Sequence, residues 1–203
     1  MQKITTTLFF QLFTGILPLA VLFLGKRKFS TEFVLLLLAS VIATASILYF
    51  TINNISNALI FDSYHICSII LLTLFYLKNI RSKAICIVIV CLGIICLLTY
   101  SLEIIFLRNP HYGLVLYNLS FIIIPILYYV SLLIDNQSEM NDSFKLINTV
   151  NFIYNSTSFF LFYFLVSLTK NDLWYIHNII EGISKLLIAY AFWKLPRQTN
   201  SLA

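Results

Sequence analysis

AICIVIVCLGIICLLTYSLEIIFL, residues 84–107, runs for twenty-four residues with a single charged side chain, Glu103. The hydrocarbon core of a bilayer is about 30 Å thick and takes about 20 apolar helical residues to cross. A surface helix of a soluble domain alternates apolar and polar faces, whereas residues 84–98 are apolar throughout. The stretch therefore predicts a membrane-spanning helix. Lys83, Arg81 and Lys78 stand before it and Arg108-Asn109-Pro110 after it, the proline disfavouring helix at the residue that precedes it.

The same pattern of apolar run and polar break recurs on both sides. Runs cover residues 8–25, 32–52, 59–77, 84–107, 114–134, 146–168 and 173–193. Lys26-Arg27-Lys28 stops the first, Asn53-Asn54-Ile55-Ser56-Asn57 the second, and Pro196 the seventh. The first run is preceded only by Lys3 and is followed by a basic triplet where a signal peptide would carry its small-residue cleavage site. It is expected to remain as a helix. The longest polar connection, residues 135–145, is far smaller than an independent domain.

Composition agrees with this reading. Of 203 residues, 60% are apolar or aromatic and 10% are charged, with five glycines and four prolines and a mean hydropathy of +0.93. A soluble domain carries roughly 25% charged residues, and disorder requires low hydrophobicity with high charge. The formal charge of +5 comes from 13 basic residues spread over short breaks. They form no continuous basic face, so nucleic acid is not an expected partner. The four cysteines, Cys67, Cys86, Cys91 and Cys96, all fall inside apolar runs without CxxC spacing. They predict small buried thiols, with neither a disulfide nor a metal.

Basic residues also set orientation, because loops rich in Lys and Arg stay cytoplasmic. Seven crossings put Lys26, Arg27, Lys28, Lys78, Arg81, Lys83, Lys145, Lys194 and Arg197 on one side and Lys3, Arg108 and Lys170 on the other. The expected fold is an all-α polytopic membrane bundle of seven transmembrane helices, residues 1–203 forming one domain without a soluble unit. Its N-terminus lies outside and its C-terminus in the cytoplasm. The expected location is the cell membrane, the inner membrane if bacterial. Trp174 and Trp193 mark the two ends of the seventh run, where amphipathic rings favour the interface.

Ionisable groups inside hydrocarbon are costly unless paired or hydrated, which makes them the places to look for function. In the seventh run His177, Glu181 and Lys185 recur at a spacing of four and share one helical face. Glu181 precedes Lys185 at i, i+4, the favourable order for an ion pair. Gly182 and Ser184 lie among them, small enough to admit a neighbouring helix. The sixth run offers Asn148, Asn151, Asn155 and Ser158 on one face. The third brings Asp62 and His65, the fourth Tyr100 and Glu103, and the fifth Asn118. These positions predict an outward-facing polar cavity among helices three, five, six and seven, lined by Asp62, His65, Asn118, Asn155, His177, Glu181 and Lys185. The competing reading makes them glue between helices, with Glu181 and Lys185 a structural pair and Asp62 a favourable charge at a helix start.

Three function classes follow. Glu181-Gly182-Ile183-Ser184-Lys185 resembles the final-helix signature of the microbial rhodopsins, which implies retinal held as a Schiff base on Lys185. The chain departs from that family elsewhere: the third run has no Arg, its acid Asp62 lies near one end, and the sixth run has neither Trp nor Pro. Apart from that resemblance, no cofactor is expected. Small multi-pass terpene cyclases are similar in size and helix number, and would use Asp62, Glu103 or Glu181 as acids. HExxH, GxSxG and glycine-rich phosphate loops are absent. A sensory, receptor-like or accessory subunit is the favoured class and an enzyme the less favoured one. The expected partners are the lipid bilayer and another membrane or cytoplasmic signalling protein. Residues 174–178 and 189–193 are similar to the last helices of small bacterial membrane proteins associated with sensor kinases, without a diagnostic motif.

Overall fold

The computed structural model describes residues 2–107, 111–134, 142–164 and 170–196. Among them are seven helices and no strand: α1 Gln2–Leu24, α2 Thr31–Ile52, α3 Ala58–Asn79, α4 Lys83–Leu107, α5 His111–Ile134, α6 Asp142–Phe164 and α7 Lys170–Trp193. The break at Arg108-Asn109-Pro110, most of the 135–145 connection, the last residues of the sixth run and Arg197 lie outside the described residues, as do the side chains of Lys3 and Lys170.

Five helices, α1 to α5, are long and apolar enough to cross a membrane, with mean hydropathies between 1.8 and 2.8 over their spans. Helices α6 and α7 have the same length, 23 and 24 residues, but fall short in apolarity. The reason is directional. Their polar residues turn inward, where Asn148, Asn155, Ser158, Glu181 and Lys185 are buried. Ile153, Phe160, Ile183 and Tyr190 turn outward. Hydropathy averages over all faces of a helix, whereas a bundle needs apolarity only on the face that meets lipid.

Each helix packs against its neighbours in the chain, and α7 returns to pack along α1, which closes a ring; α3 also touches α5. Large apolar side chains cover the outside, among them Phe13 at 66% and Ile42 at 65% exposure. An apolar surface of this extent is unstable in water and suited to lipid. Small residues set the closest approaches. A Cβ on Gly182 would lie 2.3 Å from Phe10 Cε1, so only glycine lets α1 come this near α7.

The end of the bundle that carries the α1–α2 connection is filled with rings. Phe33 packs on Phe75 at 4.9 Å, Phe29 on Phe192 at 4.9 Å, and Phe144 on both Phe75 and Tyr128 at 5.0 Å. Arg27 closes this end. Its Nη1 donates to the carbonyls of Phe192 and Leu195, each at 2.6 Å, and to that of Trp193. The guanidinium also lies 5.4 Å from the Trp193 ring centre. Terminal helix carbonyls lack partners within their own helix, and Arg27 supplies a donor to those ending α7.

Candidate functional site

Spacing on α7 builds the centre of the site. One turn separates His177, Glu181 and Lys185, and each is buried. Lys185 Nζ lies 2.7 Å from Glu181 Oε1, and His177 Nε2 lies 3.8 Å from Glu181 Oε2. The contact to Lys185 is an ion pair, and Nζ has no other acceptor among the described residues.

Neighbouring helices surround the pair. From α2, Ser40 Oγ donates to Glu181 Oε1 at 3.4 Å. From α6, Tyr154 OH and Ser158 Oγ each stand 3.5 Å from a ring nitrogen of His177. From α1, the Gln11 side chain reaches Glu181. Gly15 of α1 lies against the lysine, where a Cβ would make an ordinary contact with Nζ at 3.5 Å and a tighter one with Val41 at 3.2 Å. Thr7, one turn before Gln11, accepts from Asn178 Nδ2 at 3.3 Å.

Beside the ion pair is a cavity of ≈ 70 Å³, walled by α2, α3, α5, α6 and α7. Ser40, Tyr64, Tyr117, Asn155, Glu181 and Lys185 supply polar groups, and Leu36, Leu72 and Ile188 supply apolar wall. Glu181 lies eleven residues into α7 from Lys170 (181 − 170), about 16 Å along its axis. The cavity therefore occupies the middle of the bundle. The rings of Trp174, Phe61 and His177, with Trp174 packed edge-on to the other two at 5.0 and 5.6 Å, stand nearer the start of α7. The Phe33–Phe75 layer stands toward its end.

Of the residues singled out in the sequence, Asn155, Glu181 and Lys185 meet at this cavity, and His177 adjoins it through Glu181. Asp62, His65 and Asn118 do not line it. Asp62 Oδ1 accepts from Tyr100 OH at 3.1 Å. His65 Nδ1 is 2.9 Å from the Phe61 carbonyl, and its ring stacks on Tyr100 at 5.7 Å. Asn118 Nδ2 donates to the Leu114 carbonyl at 3.0 Å, one turn back on its own helix. The asparagine stripe of α6 also divides. Asn148 accepts from Tyr76 OH at 2.9 Å and donates to the Pro125 carbonyl at 3.2 Å, while Asn151 donates to Tyr76 OH at 3.4 Å. Both join α6 to its neighbours. Asn155 Nδ2 donates to the Asn151 carbonyl at 2.7 Å, and its Oδ1 is buried without a partner.

The wall contributed by α2 and the cover contributed by α1 were not anticipated. Ser40 is one of several hydroxyls in an apolar helix, with the buried Thr44 one turn on, and carries no charge to single it out. Thr7, Gln11 and Thr14 do give a pattern, since they recur at spacings of four and three and all three are buried.

The site does not fit retinal. Its cavity is less than half of the ~150 Å³ that accommodates a benzene ring in a protein core, and Lys185 Nζ is already engaged with Glu181 at 2.7 Å. Compared with protein families, curated proteins and solved structures, the chain matches none.

Proposed function

We propose that this integral membrane protein is a sensory, receptor-like subunit, or the accessory subunit of such a system, that works from the cell membrane with its N-terminus outside. The observation that carries the reading is the Glu181–Lys185 pair, buried in mid-bundle beside a polar cavity. Charge in hydrocarbon is expensive, and the default expectation for it is function. The groups around it come from α1, α2, α6 and α7. A shift of any of these helices alters the pair's contacts, which makes the site a point where a change at one end of the bundle is felt at the other. The end rich in basic residues then faces the cytoplasm, where a partner protein receives the signal.

An acid-initiated cyclase is less well supported. Such an enzyme needs a dry, protonated carboxyl group aimed at its substrate. Glu181 is ion-paired, Asp62 accepts from Tyr100, and Glu103 Oε2 accepts from the Gly113 N–H at 2.6 Å.

The test is purification of the full chain from its native membrane in mild detergent after in-membrane crosslinking, with mass spectrometry of what accompanies it. The expected result is one defined membrane or cytoplasmic signalling protein in stable stoichiometry, its association altered by Glu181→Gln or Lys185→Met in protein that still folds. Recovery of the chain alone, together with turnover of a polyprenyl substrate that is lost in Glu181→Gln, would overturn the reading in favour of an enzyme.

A further inference from the structure

Two buried atoms of residues that line the cavity have unspent hydrogen-bonding capacity of opposite kinds. Lys185 Nζ carries three N–H donors and is ion-paired to Glu181 Oε1 at 2.7 Å with no other acceptor among the described residues, and Asn155 Oδ1 is an acceptor with no partner among them. Their residues are 4% and 2% exposed, and both line the same cavity. A buried polar atom left unpaired is destabilising, so such a pair of atoms is expected to be matched by something that enters.

Charge and size restrict what that is. An anion meets the Glu181 carboxylate 2.7 Å from the ammonium it would need, and a cation meets the ammonium itself. An apolar guest leaves Oδ1 unpaired and offers no acceptor to the N–H groups of Nζ that Glu181 does not take. The volume of ≈ 70 Å³ takes several waters at roughly 10–15 Å³ each, or one flat group of a few heavy atoms. Tyr64, Tyr117 and Leu72 provide walls against which such a group can lie.

We infer that the cavity binds a small neutral group bearing both an acceptor for Lys185 and a donor for Asn155, a primary amide or a hydroxyl, with water as the other source of the same chemistry. The inference deepens the receptor-like reading by naming the ligand class, and rests on it only for its biological meaning. The binding itself needs no partner protein, so the two can fail separately.

The experiment uses the full chain in detergent, with thermal unfolding followed against acetamide, acetate, methylammonium and benzene at matched concentrations. Wild type is expected to show a saturable rise of its midpoint with acetamide alone. In Asn155→Leu, which removes the acceptor and fills space, apparent affinity is expected to fall about tenfold or more, the loss of one good hydrogen bond. Lysine-selective ¹⁵N labelling gives a second readout that does not depend on that variant folding. The slowly exchanging Lys185 ammonium signal shifts with acetamide when an amide is the guest. When water is the guest, it shows cross-relaxation to water and no acetamide shift. Both outcomes support the inference and tell its two sources apart. A midpoint rise with acetate, methylammonium or benzene equal to that with acetamide would overturn it, as would a Lys185 signal in contact with neither acetamide nor water.

Discussion

Removing one member of the Glu181–Lys185 pair is expected to destabilise the bundle strongly, and the two removals are expected to be unequal. The side chains are 12% and 5% exposed and their charges lie 2.7 Å apart. Breaking a buried pair leaves an uncompensated charge and costs roughly 3–5 kcal/mol, whereas replacing both partners with neutral side chains of similar volume is often near neutral. The surroundings decide which single loss is worse. Without Lys185, the carboxylate keeps Ser40 at 3.4 Å, His177 at 3.8 Å and Gln11. Without Glu181, the ammonium keeps no other charged partner among the described residues. Glu181→Gln should therefore sit near the top of that range and Lys185→Met near its bottom, with the double variant recovering most of the loss. A chain of this size loses about 2–4 °C of midpoint per kcal/mol. The singles should then fall by roughly 6–20 °C. Thermal unfolding in detergent, followed by the fluorescence of Trp174 and Trp193, reads these shifts, and the double-mutant cycle gives the coupling directly. A coupling below about 0.5 kcal/mol, the size of an exposed surface pair, would refute the reasoning, because the pair would then be screened by bulk water. So would a Lys185→Met more damaging than Glu181→Gln, because the account of neighbouring groups would be reversed.

Other consequences are local. Gly182→Ala places a Cβ 2.3 Å from Phe10 Cε1 and is expected to cost about 1–3 kcal/mol; Phe10→Leu should relieve most of that loss in the same unfolding assay. Arg27→Ala removes the donor to the carbonyls of Phe192, Trp193 and Leu195. It should lower stability by about 1–3 kcal/mol and speed proteolysis after α7, measured by limited digestion. Tyr76→Phe deletes the bond to Asn148 Oδ1 at 2.9 Å and should cost about 1–2 kcal/mol, while Asn148→Ala in the Tyr76→Phe background should cost less than in wild type. Glu32→Gln breaks the 3.1 Å contact to Lys78, whose side chain is 59% exposed. It should change stability by less than about 1 kcal/mol, an effect that vanishes at high salt.

How much the sequence discloses depends on which coordinate of a helix a residue's role requires. Position along the axis is legible: α4 follows from one uninterrupted run, and Glu181 and Lys185 follow from i, i+4 spacing on one helix, where geometry needs no information from elsewhere. Direction around the axis is not. Asp62, His65 and Asn118 lie at a depth that suggested a shared site, yet the first two turn to Tyr100 of α4, a neighbour that only the ring order of helices supplies, and the third turns back to the Leu114 carbonyl of its own helix. The same limit hid Ser40 and Gln11, whose proximity to Glu181 depends on α1 packing along α7 and on α2 facing α7 across the cavity. Asn118 and Asn155 show the limit most sharply. Both amides donate to the carbonyl four residues earlier in their own helices, at 3.0 and 2.7 Å. A local reading makes them equivalent. Asn155 alone of the two has its carbonyl oxygen buried without a partner, because α2, α3, α5 and α7 recede around it to leave the cavity. Whether a membrane asparagine is a strut or a binding group is thus decided by the surface opposite it, and the Asn155→Leu and Lys185 measurements interrogate that surface rather than the helix that carries the residue.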